Sequence, residues 1–213
     1  MNTYPNKNNK HKTVRQDFKI IGDWVSSGAQ VLDLGCADGS LMRYLQETKN
    51  IHGYGLEREA NNIAKCIDNK VNVIQMNLND GLPSFSDKSF DFVVLSLTLQ
   101  SIKHASALID EMLRVGKEGI ISFPNFGHWR IRCQLALGGK MPVSKRLPYE
   151  WHDTPNIRLC TVNDFDHFCR KRQIKVLESL VLNSDYQTTF PQRTLPNLFG
   201  NIAMYRISKN NLN

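Results

Sequence analysis

The ten residues VLDLGCADGS (31–40) run from an apolar strand pattern into a turn that is bracketed by Gly35 and Gly39. A helix-like pattern follows at once, and such a glycine turn brings the backbone close to a ligand. The turn lacks the GxGxxG pattern of dinucleotide-binding folds, and no GKS or GKT follows it, which excludes a P-loop. Asp38 would repel a phosphate, so the turn favours a ligand with a cationic part, such as an amine or a sulfonium.

A second acidic residue lies at the end of the next predicted strand. The segment IHGYGLE (51–57) ends in Glu57, where a carboxylate can accept hydrogen bonds from both hydroxyls of a ribose. Taken alone, Glu57 is equally well explained as a solvated charge at a strand end or as the start of the next helix. Together with the acidic turn, it favours an aminoacyl-type nucleoside, a description that S-adenosylmethionine fits.

Strand-like and helix-like segments alternate from residue 18 to residue 125, which indicates a doubly wound parallel sheet. The predicted strands are AQVLDLG, IHGYGLE, VNVIQMNL, FDFVVLSLTL and GIISFPN, and the predicted helices are FKIIGDWV, SLMRYLQET, REANNIAKCIDN and SALIDEMLRVGKE. Two later strands, KVLESLVLNS and NIAMYRIS, have no obvious crossover helix between them, so we expect an antiparallel pair. The predicted fold class is α/β and Rossmann-like, with a seven-stranded, mostly parallel sheet, a final antiparallel strand and helices on both faces.

Residues 126–160 interrupt this alternation with a segment that is too long for an ordinary loop. The segment contains Trp129, Trp151, a glycine pair and closely spaced basic residues. Regular structure resumes where Thr161 and Asp164 form a capping-box pattern, which predicts the start of a helix. We therefore expect one domain over residues 16–213 with an insertion at 126–160, preceded by a disordered basic tail over residues 1–15.

Composition and charge limit the classes of function. A chain of 213 residues with 41% hydrophobic and 22% charged residues is typical of a soluble globular protein. Four basic residues of the tail contribute to the net charge of +7, and the tail lacks the aromatic residues that would favour a nucleic-acid-binding arm. The five cysteines form no CxxC pair, which predicts reduced thiols in the cytosol. No apolar run is long enough for a membrane span, so we expect none. The N-terminal residues lack the apolar region of a secretory signal, so we expect no such signal.

The stretches VLDLGCADG and GYGLE resemble the first two motifs of class I S-adenosylmethionine-dependent methyltransferases. The resemblance implies that the glycine turn holds the methionine part of the cofactor, that the acid after the second strand holds the ribose, and that residues after the third strand contact the adenine. The cofactor-binding residues expected on this basis are Asp33, Gly35, Asp38, Gly39, Glu57, Asn77 and Leu78. Two departures from the superfamily pattern are Ala37, in place of a common glycine, and the amides Asn77 and Asn79 where an acid is frequent.

A more specific resemblance covers nearly the whole chain from residue 18 onward. The stretches SFPNFGHWR, LPYEWHDTPN and LPNLFGNIAMYRI are very similar to the family of the methionine biosynthesis protein MetW. This resemblance implies a link to homoserine O-acyltransferase in methionine biosynthesis. It favours a protein that binds S-adenosylmethionine and supports the acyltransferase, while the alternative is an active methyltransferase with an unidentified small-molecule acceptor.

Candidates for a general base lie in the insertion, but none stands out from the sequence. They are His128, Tyr149, His152 and Asp153. We favour the interpretation that these polar and aromatic residues pack the insertion onto the sheet over a catalytic role. The fourth strand lacks the NPPY-like turn that resembles amino-group methyltransferases of DNA, which argues against a nucleic-acid substrate, and no metal-ligand spacing such as HExxH occurs.

The insertion also combines aromatic and basic residues in the manner of a protein-binding surface. The residues concerned are Trp129, Tyr149 and Trp151 with Arg130, Arg132, Lys140, Lys145, Arg146 and Arg158. A basic surface speeds encounter with an acidic partner. We therefore expect the insertion to dock the acyltransferase, and the alternative is that the same residues form a lid over a small acceptor.

Overall fold

The computed structural model describes residues 15–144 and 148–210. The predicted tail lies outside these residues except for Arg15, and so do Lys145 and Arg146 of the predicted basic surface. The strands are β1 Gln30–Leu34, β2 His52–Glu57, β3 Val73–Gln75, β4 Phe90–Ser96, β5 Gly116–Pro124, β6 Ile174–Leu182 and β7 Ile202–Lys209. The helices are α1 Gln16–Trp24, α2 Ser40–Lys49, α3 Ala60–Asp68, α4 Ala105–Val115, α5 Trp129–Gly138, α6 Val162–Lys171, α7 Phe190–Thr194 and α8 Pro196–Phe199.

The seven strands of the described residues belong to one sheet with the order β3-β2-β1-β4-β5-β7-β6. Strands β1 to β5 are mutually parallel, and β7 lies antiparallel between β5 and β6. The predicted fold class is therefore confirmed, including the antiparallel pairing of the last two strands. The chain reverses its direction of travel across the sheet between β1 and β4, which opens a crevice at the carboxyl ends of these two strands.

Apolar clusters cover both faces of the sheet. On one face, Val31 of β1 packs in a cluster with residues of α1, α2 and α3. On the other face, Leu32 and Leu34 pack in a cluster with residues of α4 and α6. Because side chains alternate along a strand, Asp33 shares the face of Val31 and lies buried at the edge of its cluster. Burial on both sides fixes the register of β1 and so the position of the turn that follows it.

Three local predictions differ from the structure. The third strand is confined to Val73–Gln75, because Asn77 caps a short 3-10 helix at Leu78–Asp80 and ends the extended run. Helix α4 ends at Val115 rather than continuing to Glu118, since Gly116 and Glu118 already pair with β4. The short helices α7 and α8 between β6 and β7 were not expected, although each has a proline in its first turn.

The two ends of the insertion meet at Asn125, which is fully buried. Its side-chain oxygen accepts hydrogen bonds from the backbone N–H groups of Gly127 and Val162, at 2.9 and 3.2 Å. Its side-chain nitrogen donates to the carbonyls of Asn197 and Gly200, at 3.0 and 2.8 Å. One amide therefore joins the start of the insertion, the start of α6 and the end of α8.

The capping box at Thr161 and Asp164 is confirmed at the start of α6. The insertion itself forms helix α5, which begins at Trp129 and in which Ile131 is the buried residue. The other described positions from 132 to 143 are exposed except Pro142.

Candidate functional site at the carboxyl ends of β1 and β4

The turn after β1 is held by backbone hydrogen bonds to the neighbouring strand. The N–H groups of Gly35 and Cys36 both donate to the carbonyl of Leu56, at 2.8 and 3.0 Å. Gly35 has a φ of +74°, and a Cβ atom placed there would lie 2.8 Å from the Cγ2 atom of Thr98. Gly35 is therefore required both for the left-handed backbone and for the close approach of the turn after β4.

Glu57 fixes the same turn from the end of β2. Its carboxylate is buried and accepts three backbone hydrogen bonds, from the N–H groups of Ala37 at 2.9 Å, Arg58 at 2.8 Å and Glu59 at 2.9 Å. A carboxylate offers about four lone-pair sites, so roughly one acceptor site remains for a ligand hydroxyl. The sequence indicated a role for Glu57 in ligand binding, and the structure adds a role in shaping the turn.

Asp33 is the second buried acid at this edge. Burial, and to a smaller extent the negative charge of Glu57, raise the pKa of Asp33 to about 7. A buried carboxylate of this kind is stabilised in its ionised form by a nearby cation. A cationic ligand group would therefore find in Asp33 an acid that is poised to ionise near neutral pH.

Two adjoining cavities lie on either side of Gly35 and Thr98, which line both of them. The larger has a volume of about 400 Å³ and is lined by Glu57, Asn77 and Leu78, among others. The smaller has a volume of about 230 Å³ and contains Asp33, Asp38 and Arg15 in its lining. Six of the seven predicted site residues are Asp33, Gly35, Asp38, Glu57, Asn77 and Leu78, and the structure brings these together along one continuous groove.

Gly39 differs from the other predicted residues because it is part of neither lining. A Cβ atom at Gly39 would meet the Sγ atom of Cys66 at 3.1 Å and Val71 at 3.2 Å. Gly39 is the N-cap residue of helix α2 and has a φ of +74°. The structure thus gives Gly39 a part in packing the turn against α3 rather than a wall of the groove.

The polar residues after β3 are ordered by their own hydrogen bonds. The Oδ1 atom of Asn77 accepts from the backbone N–H of Asn79 at 3.2 Å. The Oδ1 atom of Asn79 accepts from the backbone N–H of Lys103 at 2.9 Å, which ties this segment to the turn after β4. The amide side chains are therefore held in fixed positions in the lining of the larger cavity, which Glu57 also lines.

Several lining residues were not predicted from the sequence. They include Arg15 and Phe18 from the start of the domain, Leu97, Thr98 and Lys103 from the turns after β4, and Pro155 and Ile157 from the insertion. The backbone N–H groups of Ile157 and Arg158 both donate to the carbonyl of Gln100 at 2.9 Å. The end of the insertion is therefore part of the groove, whereas α5 contributes no residue to either cavity.

The four candidate bases lie outside both cavities. The Nδ1 atom of His128 accepts a hydrogen bond from the backbone N–H of Arg130 at 3.2 Å and so caps α5, and burial lowers the pKa of His128. Tyr149, His152 and Asp153 are exposed. The preferred interpretation that these residues pack the insertion onto the sheet is correct for the buried His128 and wrong for the exposed ones, and the neighbouring Trp151 is also 75% exposed.

Within the described ranges, no helix is long and apolar enough to cross a membrane. The same ranges contain no group of three or more His, Cys, Asp or Glu side chains placed to hold a metal ion.

The sheet order and the groove at the switch point together define the fold of class I S-adenosylmethionine-dependent methyltransferases. A methyltransferase of this kind from Mesorhizobium loti superimposes with a TM-score of 0.66, at 14% identity over 90% of this chain and 97% of that one. The [4+2]-cyclase SpnF superimposes equally well, with a TM-score of 0.66 and 16% identity over 95% of this chain and 84% of that one. At such identities the likeness shows the fold alone, and the cyclase illustrates that the fold does not determine the reaction.

The particular family follows from the sequence. The profile of the family described as methionine biosynthesis protein MetW matches residues 15–207, and the chain belongs to this family. A curated relative from Rhodopirellula baltica, named bifunctional methionine biosynthesis protein MetXA/MetW, is 31% identical over 208 residues. The match covers 93% of this chain but only 33% of the relative, so the chain spans about a third of that protein's length.

Proposed function

We propose that this chain binds S-adenosylmethionine in the groove between β1 and β4 and supports a homoserine O-acyltransferase in methionine biosynthesis. The observation that carries the first half is the pair of cavities that meet at Gly35 with the buried acids Asp33 and Glu57 on opposite sides. The fused name of the MetXA/MetW relative, in which MetW is joined to a second methionine-biosynthesis protein, supports the second half.

The residues present fit the cofactor in chemistry as well as in space. In the larger cavity, the remaining acceptor capacity of Glu57 suits a ribose hydroxyl, and the amide of Asn77 with the side chain of Leu78 suits an adenine edge and face. In the smaller cavity, Asp33 and Asp38 suit the ammonium and sulfonium charges. When bound, the cofactor would supply a methyl group on a sulfonium, and the chain's own contribution is orientation and exclusion of water.

Calorimetric titration of the Glu57→Gln variant with S-adenosylmethionine tests the binding proposal. Loss of charge-assisted hydrogen bonds should weaken binding by about 1.5–3 kcal/mol. Glu47→Gln is the matched control, because Glu47 is exposed on α2 and forms a surface ion pair with Arg43. Unchanged affinity in Glu57→Gln, or tight binding of NAD to the wild type, would contradict the proposal.

The surface of the insertion supports the docking half of the proposal. In α5, Leu137 is 88% exposed and Leu135 and Trp129 are also exposed, while the Arg130 guanidinium lies 5.3 Å from the Trp129 ring. Aromatic and arginine side chains of this kind dominate binding energy at protein interfaces. We take the acyltransferase as the occupant of this surface, since the name of the relative joins MetW to a second methionine-biosynthesis protein, MetXA, in one bifunctional chain.

The alternative function is methyl transfer to a small acceptor, with the insertion as a lid. Pro155 and Ile157 favour it to the extent that they line the larger cavity. The position of His128, Tyr149, His152 and Asp153 outside both cavities disfavours it, because a general base must reach the acceptor next to the methyl group. We therefore retain supporting the acyltransferase as the principal role.

Variants of α5 separate the two roles. Trp129→Ala and Arg130→Ala should each weaken the apparent affinity for the purified acyltransferase, measured from its stimulation, at least tenfold. Binding of S-adenosylmethionine should stay unchanged. Phe190→Ala is the control, since Phe190 is an exposed aromatic residue outside the insertion. If both α5 variants bind and stimulate the acyltransferase like the wild type, the docking proposal fails. Methyl transfer to an acceptor in the absence of the acyltransferase would favour the alternative.

A further inference from the structure

We propose that Arg15 forms the binding subsite for the α-carboxylate of the bound amino-acid nucleoside. This inference rests on the proposed binding of S-adenosylmethionine and adds the group that recognises its amino-acid end. Among the described residues that line the smaller cavity, Arg15 is the cationic one, and the lining also includes Asp33 and Asp38.

The guanidinium of Arg15 is held in place by two neighbours on α1. Its Nε and Nη2 atoms donate to the two carboxylate oxygens of Asp17, at 3.1 and 2.6 Å. The ring of Phe18 packs against the guanidinium, with 4.6 Å from the Cζ atom to the ring centroid. Asp17 is almost completely buried, whereas the Arg15 side chain is 48% exposed. The buried acid therefore anchors one edge of the arginine and leaves its charge within reach of the cavity.

The charge of the cavity explains why such a subsite is needed. Asp33 and Asp38 favour the cationic ammonium and sulfonium, but they repel the carboxylate of the same amino-acid group. A guanidinium has five N–H donors; two are directed at Asp17 and the side chain of Tyr186 engages another, so further donors exist for a second carboxylate. Arg15 thus complements the part of the ligand that the acidic turn opposes.

The ligand's carboxylate gives a direct test. Decarboxylated S-adenosylmethionine keeps the adenosine, the sulfonium and the ammonium but lacks the carboxylate. In calorimetric titrations, Arg15→Gln should weaken binding of S-adenosylmethionine about tenfold or more, the scale of a charge-assisted hydrogen bond. The same variant should bind the decarboxylated ligand within about twofold of the wild type.

Removal of Arg15 leaves the buried Asp17 without its cation, which can destabilise the fold. The double variant Arg15→Gln with Asp17→Asn removes both charges and should show the same ligand selectivity with wild-type thermal stability. Arg43→Gln, which removes an exposed arginine on α2, is the control and should bind both ligands normally.

The outcomes are distinguishable. An equal loss of affinity for both ligands in the double variant would assign Arg15 a structural role and overturn the inference, as would an unchanged affinity for S-adenosylmethionine. Failure of the wild type to bind either ligand would instead contradict the proposed function.

Discussion

The turn after β1 and the helix α5 differ in how their side chains are packed. In the turn, buried carboxylates and left-handed backbone are held by short hydrogen bonds to neighbouring strands. In α5, Ile131 is buried, while apolar side chains such as Leu137 face outward. In the turn, polar groups form hydrogen bonds within the protein. In α5, apolar side chains remain exposed to solvent.

This contrast separates two kinds of recognition. A small polar ligand gains affinity when the groups that bind it are already ordered, since little conformational entropy is then lost on binding. A protein partner gains affinity from apolar area that it removes from water. The buried side chain of Asn125 lies between the two regions in function. It anchors the first residues of the insertion to α6 and α8, and this anchor does not involve the exposed helix α5.

The largest expected effect follows from removing that anchor. Asn125→Ala would leave two buried N–H groups, one buried carbonyl and one partly buried carbonyl without their partner. Each unsatisfied buried group costs about 1–3 kcal/mol, so the free energy of unfolding should fall by about 3–4 kcal/mol after partial relaxation. Urea denaturation measures this change. A matched control is Asn183→Ala, which removes two hydrogen bonds from an exposed turn and should cost about 1 kcal/mol.

If Asn125→Ala and Asn183→Ala destabilise the protein equally, the insertion is not anchored through Asn125, and the distinction between its first residues and its exposed helix disappears.

The second prediction concerns the two glycines that flank β1. Gly28 and Gly35 share a φ of +74°, but a Cβ atom at Gly28 meets nothing within 4 Å. Gly28→Ala should therefore cost only the backbone strain of about 1–2 kcal/mol. Gly35→Ala adds overlap with Thr98, worth about 1–3 kcal/mol more, and should also displace the turn that binds the ligand. Thermal unfolding and calorimetric titration of the two variants measure the difference.

Thr98→Ala in the Gly35→Ala background removes the overlapping atoms and should recover the additional loss. Equal effects of the two single variants, with no recovery, would show that close approach to Thr98 does not shape the turn.

The sequence predicted the fold class and six residues of the groove, and the reasons for this success can be identified. The alternation of apolar strands and amphipathic helices is a local signal, and so is the glycine turn after β1. Glu57 follows from its position at a strand end. Each of these features depends on residues within a single strand, turn or helix, which is why it could be predicted from the sequence.

Residues that depend on contacts between distant segments could not be found in this way. Arg15 belongs by composition to a basic tail, and its place in the groove follows only from its bonds to Asp17. Thr98 and Ile157 reach the groove through turns with no sequence pattern of their own. The exposure of the aromatic residues in the insertion also depends on tertiary packing, and here the preferred interpretation from the sequence was wrong for Trp151.

The third prediction uses the pKa of Asp33. Because burial raises the pKa to about 7 from 3.8, the folded state holds the proton more tightly than the unfolded state. The stability that the protonated Asp33 contributes is complete below about pH 4 and is lost as the pH rises through about 7. Relative to Asp33→Asn, the wild type should therefore become progressively less stable over this window, as measured by urea denaturation at several pH values.

Ligand binding should show the opposite trend, because a cationic ligand favours the ionised acid. The affinity of the wild type for S-adenosylmethionine should increase on the order of tenfold between about pH 5.5 and 7.5, with proton release below about pH 7. Asp33→Asn should give a flatter profile. Identical pH profiles for the two proteins would remove Asp33 from the binding site.

The smallest expected change in stability concerns the exposed end of α5. Leu137→Asp alters a side chain that is 88% exposed, so the free energy of unfolding should change by less than about 0.5 kcal/mol. Binding to the acyltransferase should nevertheless weaken at least tenfold, because a charge at the centre of an apolar interface loses its hydration. Ile67→Asp is the matched control, since Ile67 is an exposed aliphatic residue on α3. A loss of partner binding confined to Leu137→Asp would show that the exposed apolar side of α5 is a partner surface, whereas equal binding by both variants would leave it as an uncovered helix with no role in docking.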